Sequence, residues 1–136
     1  MLTYKEAVRF HGHDGPFLAI GYQAGLYAVN ILNPEGIMDI ECKVTVVPQK
    51  PFTCIIDGIQ SASCCTLGRG NLIMERSTSN PPIVQFDNRK NGKSVRLKVR
   101  ENIFELAIGS EDLARDAALL CNMKPEELFK LCMNGH

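Results

Sequence analysis

The sequence predicts an α+β domain: an antiparallel sheet packed against a central glycine-containing helix, with additional C-terminal helices. Three observations predict it. Alternating apolar and polar residues around 40–46 and 95–99 read as half-buried strands. The segment "PFLAIGYQAGLYAVNIL" is apolar nearly all round and carries Gly21 and Gly25, as a buried central helix would. Strands and helices do not alternate regularly, which argues against a doubly wound parallel sheet. The 136 residues fit one domain, 1–136, long enough to bury a core without staples.

The elements follow in chain order. Thr3 with Glu6 three residues later forms a capping box, so a short helix is expected from Thr3 to Phe10. Asp14-Gly15-Pro16 supplies an oxygen cap and a proline in the first turn, opening a helix that runs to about Leu32. Asn33-Pro34-Glu35-Gly36 ends it. Gly21, Ala24, Gly25 and Ala28 form a small-residue stripe on that helix. Each glycine costs about 1 kcal/mol of helix propensity against alanine, so close backbone approach to a sheet or to a second copy is expected. Ile37 to Val47 is a strand with Ile40, Cys42, Val44 and Val46 on one side, closed by Pro48 and Pro51. "FTCIIDGIQSAS" has Ile55, Ile56 and Ile59 near helical spacing, a short helix carrying Asp57 and Gln60. A loop, "CCTLGRGN", leads to the strand "LIMERS"; "PIVQFDN" and "KSVRLKVR" make a hairpin around Asn88 to Gly92. Ser110 is expected to cap "EDLARDAALLCN", whose apolar face is Leu113, Ala117 and Leu120, and Pro125 to open a final helix "PEELFKLCM".

Composition narrows the function classes. Fifteen basic and fifteen acidic side chains cancel, which excludes a dedicated nucleic-acid binder. The basic run from Arg89 to Arg100 alternates with Val95, Leu97 and Val99, so a solvated sheet face explains it. Apolar runs stop well short of a membrane span. The start "MLTYKEAVRF" lacks a charged-then-apolar signal pattern, so the expected location is cytoplasmic. Six cysteines are many for such a domain. Cys42, Cys121 and Cys132 fall on apolar faces and read as small buried hydrophobes. Cys54, Cys64 and Cys65 lie in a polar, glycine-containing segment and call for a chemical reading.

His11 and His13 flank one glycine just before the central helix. In an extended loop such side chains point to one side, and neutral imidazole is the metal-binding form. Two histidines that merely hydrogen-bond the loop to the domain are an equal alternative. Cys54 and Asp57 are neighbours on one helix face, and Cys65 lies beyond, in the loop. Imidazole with thiolate suits zinc or another late divalent metal. Gly68, Arg69 and Gly70 offer backbone N–H groups and a charge as an anion cradle, although structural turns are the commoner use of such glycines. A Cys54–Cys65 redox pair competes, without a C-x-x-C motif behind it.

Together these segments resemble the E-subunit family of formylmethanofuran dehydrogenase. The resemblance rests on His11-Gly12-His13 entering the glycine-containing helix, on Cys54-Ile55-Ile56-Asp57-Gly58-Ile59-Gln60, and on Ser63-Cys64-Cys65-Thr66-Leu67-Gly68-Arg69-Gly70-Asn71. It covers most of the chain and only the family's core domain, without the zinc finger that many relatives append. It implies an α+β core, a homodimer, and a metal site of His11, His13, Cys54 and Cys65. Asp57 would be an orienting or proton-handling carboxylate. Gly15 stands where many relatives have a cysteine, and Ser63-Cys64 replaces a common Thr-Gly, leaving Cys64 a spare thiol.

Three functions follow. The first is a metal-binding cytosolic protein with an accessory or stand-alone role in one-carbon or molybdoenzyme metabolism, where partner subunits of a molybdenum or tungsten enzyme are implied. The second is a catalyst, in which a zinc with three protein ligands keeps an open position for water or substrate. The third is a dimerisation module built on Gly21 and Gly25.

Overall fold

The computed structural model describes residues 1–134. The elements are α1 (Tyr4–His11), α2 (Pro16–Leu32), β1 (Ile40–Val46), α3 (Cys54–Ser63), β2 (Leu72–Arg76), β3 (Ile83–Asn88), β4 (Ser94–Val99), α4 (Glu101–Ile108), α5 (Leu113–Cys121), α6 (Pro125–Leu128) and β5 (Phe129–Asn134). The fold is α+β, with a five-stranded sheet in the order β2-β1-β3-β4-β5. Three of its strand pairs are antiparallel; β2 runs parallel to β1, so the sheet is mixed rather than wholly antiparallel. The cause is the length of the connection. Helix α3 and the loop after it carry the chain back before β2 begins, as a parallel crossover requires.

Period-two patterning places the core. Cys42, Val44, Val46, Val84, Phe86, Val95, Leu97 and Val99 point to one face and are buried. Glu41, Thr45, Gln85 and Lys98 lie half-buried on the other, with Lys43 and Arg96 exposed there. The basic run of β4 is therefore the solvated side of a sheet. Helix α2 lies against the apolar face, with Phe17, Ile20, Ala24, Ala28 and Leu32 buried in the same cluster.

The small-residue stripe of α2 meets α3. A Cβ on Gly21 would stand 1.9 Å from the Ile55 carbonyl oxygen, and one on Gly58 would stand 2.3 Å from the Leu18 carbonyl oxygen. Each helix thus needs the other's glycine for the backbones to touch. The stripe is consumed inside the chain and is not available to a second copy.

Several expectations are corrected. Gly15, not Asp14, is the N-cap of α2, and no side chain caps it; the Asp14 carboxylate accepts the Tyr4 hydroxyl at 2.7 Å. Asp112 caps α5 by accepting the Arg115 N–H, while the Ser110 hydroxyl donates to Asp116 at 2.6 Å. The segment "PEELFKLCM" is helical only to Leu128; from Phe129 it pairs with β4. Helix α4 is an addition to the expected elements: it has no side-chain cap, and its buried residues are Ile103, Phe104 and Ala107. Cys42 is buried as expected, but Cys121 is half-buried and Cys132 is exposed on the polar side of β5. Among the described residues no helix is long and apolar enough to cross a membrane.

Candidate functional site

The ends of three helices converge. His11 is the last residue of α1, and Gly12 closes that helix in the left-handed region at φ 93°, its N–H donating to the Val8 carbonyl at 2.7 Å. This turn leads the chain through His13 to the start of α2. Cys54 and Asp57 occupy the first turn of α3. Because Gly21 and Gly58 let α2 and α3 touch, that first turn is held beside the histidines.

His11 Nδ1 lies 2.6 Å from Asp57 Oδ2, in a pair whose side chains are 14% and 36% exposed. In the tautomer that carries its proton on Nδ1, the ring donates to the Asp57 carboxylate and presents Nε2 as an acceptor. The other Asp57 oxygen accepts from Gln60 Nε2 at 3.2 Å, and Gln60 Oε1 accepts the Leu67 N–H at 3.0 Å. Asp57 is therefore fixed from both sides. A carboxylate that orients imidazole in this way is the usual support of a metal ligand or of a general base.

A cleft of about 270 Å³ opens beside the pair, lined in part by His11, His13 and Cys54. The His11 and His13 ring centroids are 6.4 Å apart with planes at 65°. Two imidazoles on one tetrahedral zinc, each with Zn–N near 2.0–2.1 Å, put their centroids about 5 Å apart. Sharing an ion therefore requires the rings to close by roughly an ångström or more. His13 is exposed and has that freedom. Its ring folds over Gly15, where an added Cβ would meet His13 Cε1 at 3.1 Å. Among the described residues, no three His, Cys, Asp or Glu side chains are gathered tightly enough to hold an ion without such movement. The donor set fits zinc in kind: two imidazoles, a thiol and a carboxylate already bonded to one of the imidazoles.

Burial pushes the Cys54 thiol up, the Asp57 charge adds to the effect, and Lys50 opposes it. With no ion bound, the Cys54 thiol therefore holds its proton more tightly than a free thiol does. The same direction holds across the fold. Burial raises Cys42 well above its ordinary value and pushes Cys65 and Cys121 up to about 11. The native thiols hold protons that the unfolded chain releases first. Stability is therefore complete below the unfolded thiol pKa and falls as pH rises toward 11. For Cys65, which has no accessible surface, the expected loss is on the order of 2 kcal/mol. Urea denaturation at about pH 7.5 and about pH 10.5 checks it; equal stability at both would contradict the assignment.

Two expected participants stand elsewhere. Cys65 follows the opposite end of α3 from Cys54, about 15 Å along the helix axis. Its Sγ donates to the Ile40 carbonyl at 3.7 Å, deep in the core. The structure does not bring it to the histidines, because the rigid helix between the two cysteines keeps them apart. The loop of Gly68, Arg69 and Gly70 uses its own donors. The Arg69 N–H goes to Thr66 Oγ1, the Gly70 N–H to the Leu67 carbonyl, and the Thr66 N–H to Asn71 Oδ1. An anion cradle needs those N–H groups free; here they hold the turn. Cys64 takes the left-handed C-cap of α3 at φ 61°, a position that Gly fills without strain. Sequence reasoning missed the far wall of the cleft, which includes Ile108 of α4 and Leu113 of α5. Only an assigned α4 would have signalled it.

The fold and the cleft together define a small α+β core domain whose one long central helix supports a site at its N-terminal end. The chain belongs to the family described as "FmdE, Molybdenum formylmethanofuran dehydrogenase operon", which matches residues 10–130. A probable S-adenosyl-L-methionine-binding protein of Archaeoglobus fulgidus is 32% identical over 110 residues, 72% of this chain. The chain spans only 27% of the length of that curated relative. A solved FmdE-like protein of the tungsten formylmethanofuran dehydrogenase type, from Syntrophus aciditrophicus, shares the fold, with a TM-score of 0.58 and 23% identity. That match covers 100% of this chain and 74% of the other.

Proposed function

We propose that the chain is a metal-binding protein that holds one divalent ion, zinc in the first instance, through His11, His13 and Cys54. Asp57 positions His11 and handles its proton, and Gln60 steadies Asp57. The observation that carries this reading is the 2.6 Å His11–Asp57 pair, whose histidine lines one cleft with His13 and Cys54. The ion would supply a Lewis acid facing the cleft. Cys65, bonded to Ile40 in the core, is left out of the ligand set.

Family membership supports a role associated with one-carbon or molybdoenzyme metabolism, as an accessory or stand-alone protein in the cytoplasm. Partner subunits of a molybdenum or tungsten enzyme are the matching proposal, and a homodimer would have to use a surface other than the buried glycine stripe. A catalytic role is the second reading, favoured by the cleft lying directly against the candidate ligands. S-adenosylmethionine binding is named for the longer relative, of which this chain spans 27%.

Elemental analysis of tag-free protein tests the metal. One zinc per chain is expected, retained by Cys65→Ser and lost from a His13→Ala, Cys54→Ser double variant. Zinc well below one per chain, or undiminished in the double variant, would overturn the reading.

A further inference from the structure

The walls of the cleft select a kind of molecule. We propose that it takes a small ligand with an apolar body and one uncharged nitrogen or sulfur head. The head meets His11, His13 and Cys54, and the body lies on Phe17, Ile108 and Leu113. The proposal rests on this cleft being the functional site.

Size sets the first limit. The cleft has a volume of about 270 Å³. This lies just below the ~300–1,000 Å³ of pockets for drug-sized ligands. Charge sets the second. No lysine, arginine, aspartate or glutamate is among the lining residues. In the zinc-free protein a phosphate or a zwitterion would leave water for these apolar walls without a counter-ion, a penalty that only pairing offsets. Shape supplies the third. Phe17 anchors the wall, its ring 5.7 Å from Phe52 and 5.8 Å from Phe104. Ile108 and Leu113 remain 53% and 40% exposed, large apolar side chains of a lining that also includes Ser110. An apolar body seated between them would take that surface out of water.

Imidazole, 4-phenylimidazole and phenyl phosphate separate the limits, since the first two share a head and the last two share a body. Each is titrated by calorimetry into zinc-free and zinc-loaded protein, with the amide shifts of Phe17, Ile108 and Leu113 followed by NMR. 4-Phenylimidazole is expected to bind about tenfold or more tighter than imidazole and, in zinc-free protein, tighter than phenyl phosphate by a similar factor. Leu113→Asp, at an exposed position, should bring the ratio of 4-phenylimidazole to imidazole affinity down toward one. Equal affinity for imidazole and 4-phenylimidazole, or a preference for phenyl phosphate in zinc-free protein, overturns the proposal. Zinc uptake without any phenyl preference sinks this ligand class and spares the metal site. A phenyl preference in protein that takes up no zinc sinks the metal site and sustains the ligand class.

Discussion

Gly58→Ala is expected to cost about 3 kcal/mol or more, and Gly21→Ala at least as much. The added carbon would meet backbone in both cases: Leu18 O at 2.3 Å from position 58, and Ile55 O at 1.9 Å from position 21. Neither contact can be relieved by a rotamer change. Relief requires α2 and α3 to separate, which opens the buried seam holding Leu18, Ile55 and Ile59. Gly25→Ala should cost less, because its contacts are longer, 3.0 Å to Ala62 Cβ and 3.2 Å to the Ile59 carbonyl oxygen. Gly36→Ala, whose Cβ would have ordinary contact at 3.7 Å from Asp39, is the control and should stay within about 0.5 kcal/mol of the parent. Urea denaturation orders the four. A Gly58→Ala protein as stable as the Gly36→Ala control would show that the helices do not cross as described. The same separation would displace Cys54 and Asp57 from the histidines, so partly folded variants should also lose zinc.

Asp57→Asn should weaken zinc binding about 10–100-fold without removing any donor atom from the ion. The amide can still accept from His11 Nδ1 through its oxygen, but it carries no charge to support the imidazole. Gln60 would then face an amide in place of the second carboxylate oxygen. Cys54→Ser, which replaces a candidate ligand, should cost about 100-fold or more. The two variants differ in their dependence on pH. Burial and Asp57 raise the Cys54 thiol, so the ion must displace its proton, and affinity should climb with pH by about tenfold per unit for each proton released. Cys54→Ser should flatten that slope, whereas Asp57→Asn should keep a proton-releasing thiol. Competition titrations against a chelator at several pH values measure both. Equal slopes in the parent and in Cys54→Ser would remove Cys54 from the ligand set.

Where local chemistry agrees with packing, the sequence is readable. The capping box Thr3–Glu6, the long apolar helix and the alternation in β1, β3 and β4 all appear as expected. Each of those signals concerns contacts within a few residues. Segment 101–108 offers no cap and only a short apolar face, so α4 emerges only through Ile103, Phe104 and Ala107 meeting the core. Segment 129–134 sits in a run that reads as helix, yet β4 presents an open edge whose backbone groups need partners, and Phe129 to Asn134 supply them. Tertiary pairing outweighs local preference there.

The sequence by itself determined an α+β domain with a buried glycine-bearing helix and two imidazoles at its start. Only the tertiary structure decided which groups join them. Spacing along a chain cannot report which end of a rigid helix faces a given point. Helix α3 delivers Cys54 and Asp57 to the histidines and carries Cys65 away into the core. The direction in which α3 crosses α2, permitted by Gly21 and Gly58, is a long-range fact that neither segment contains alone.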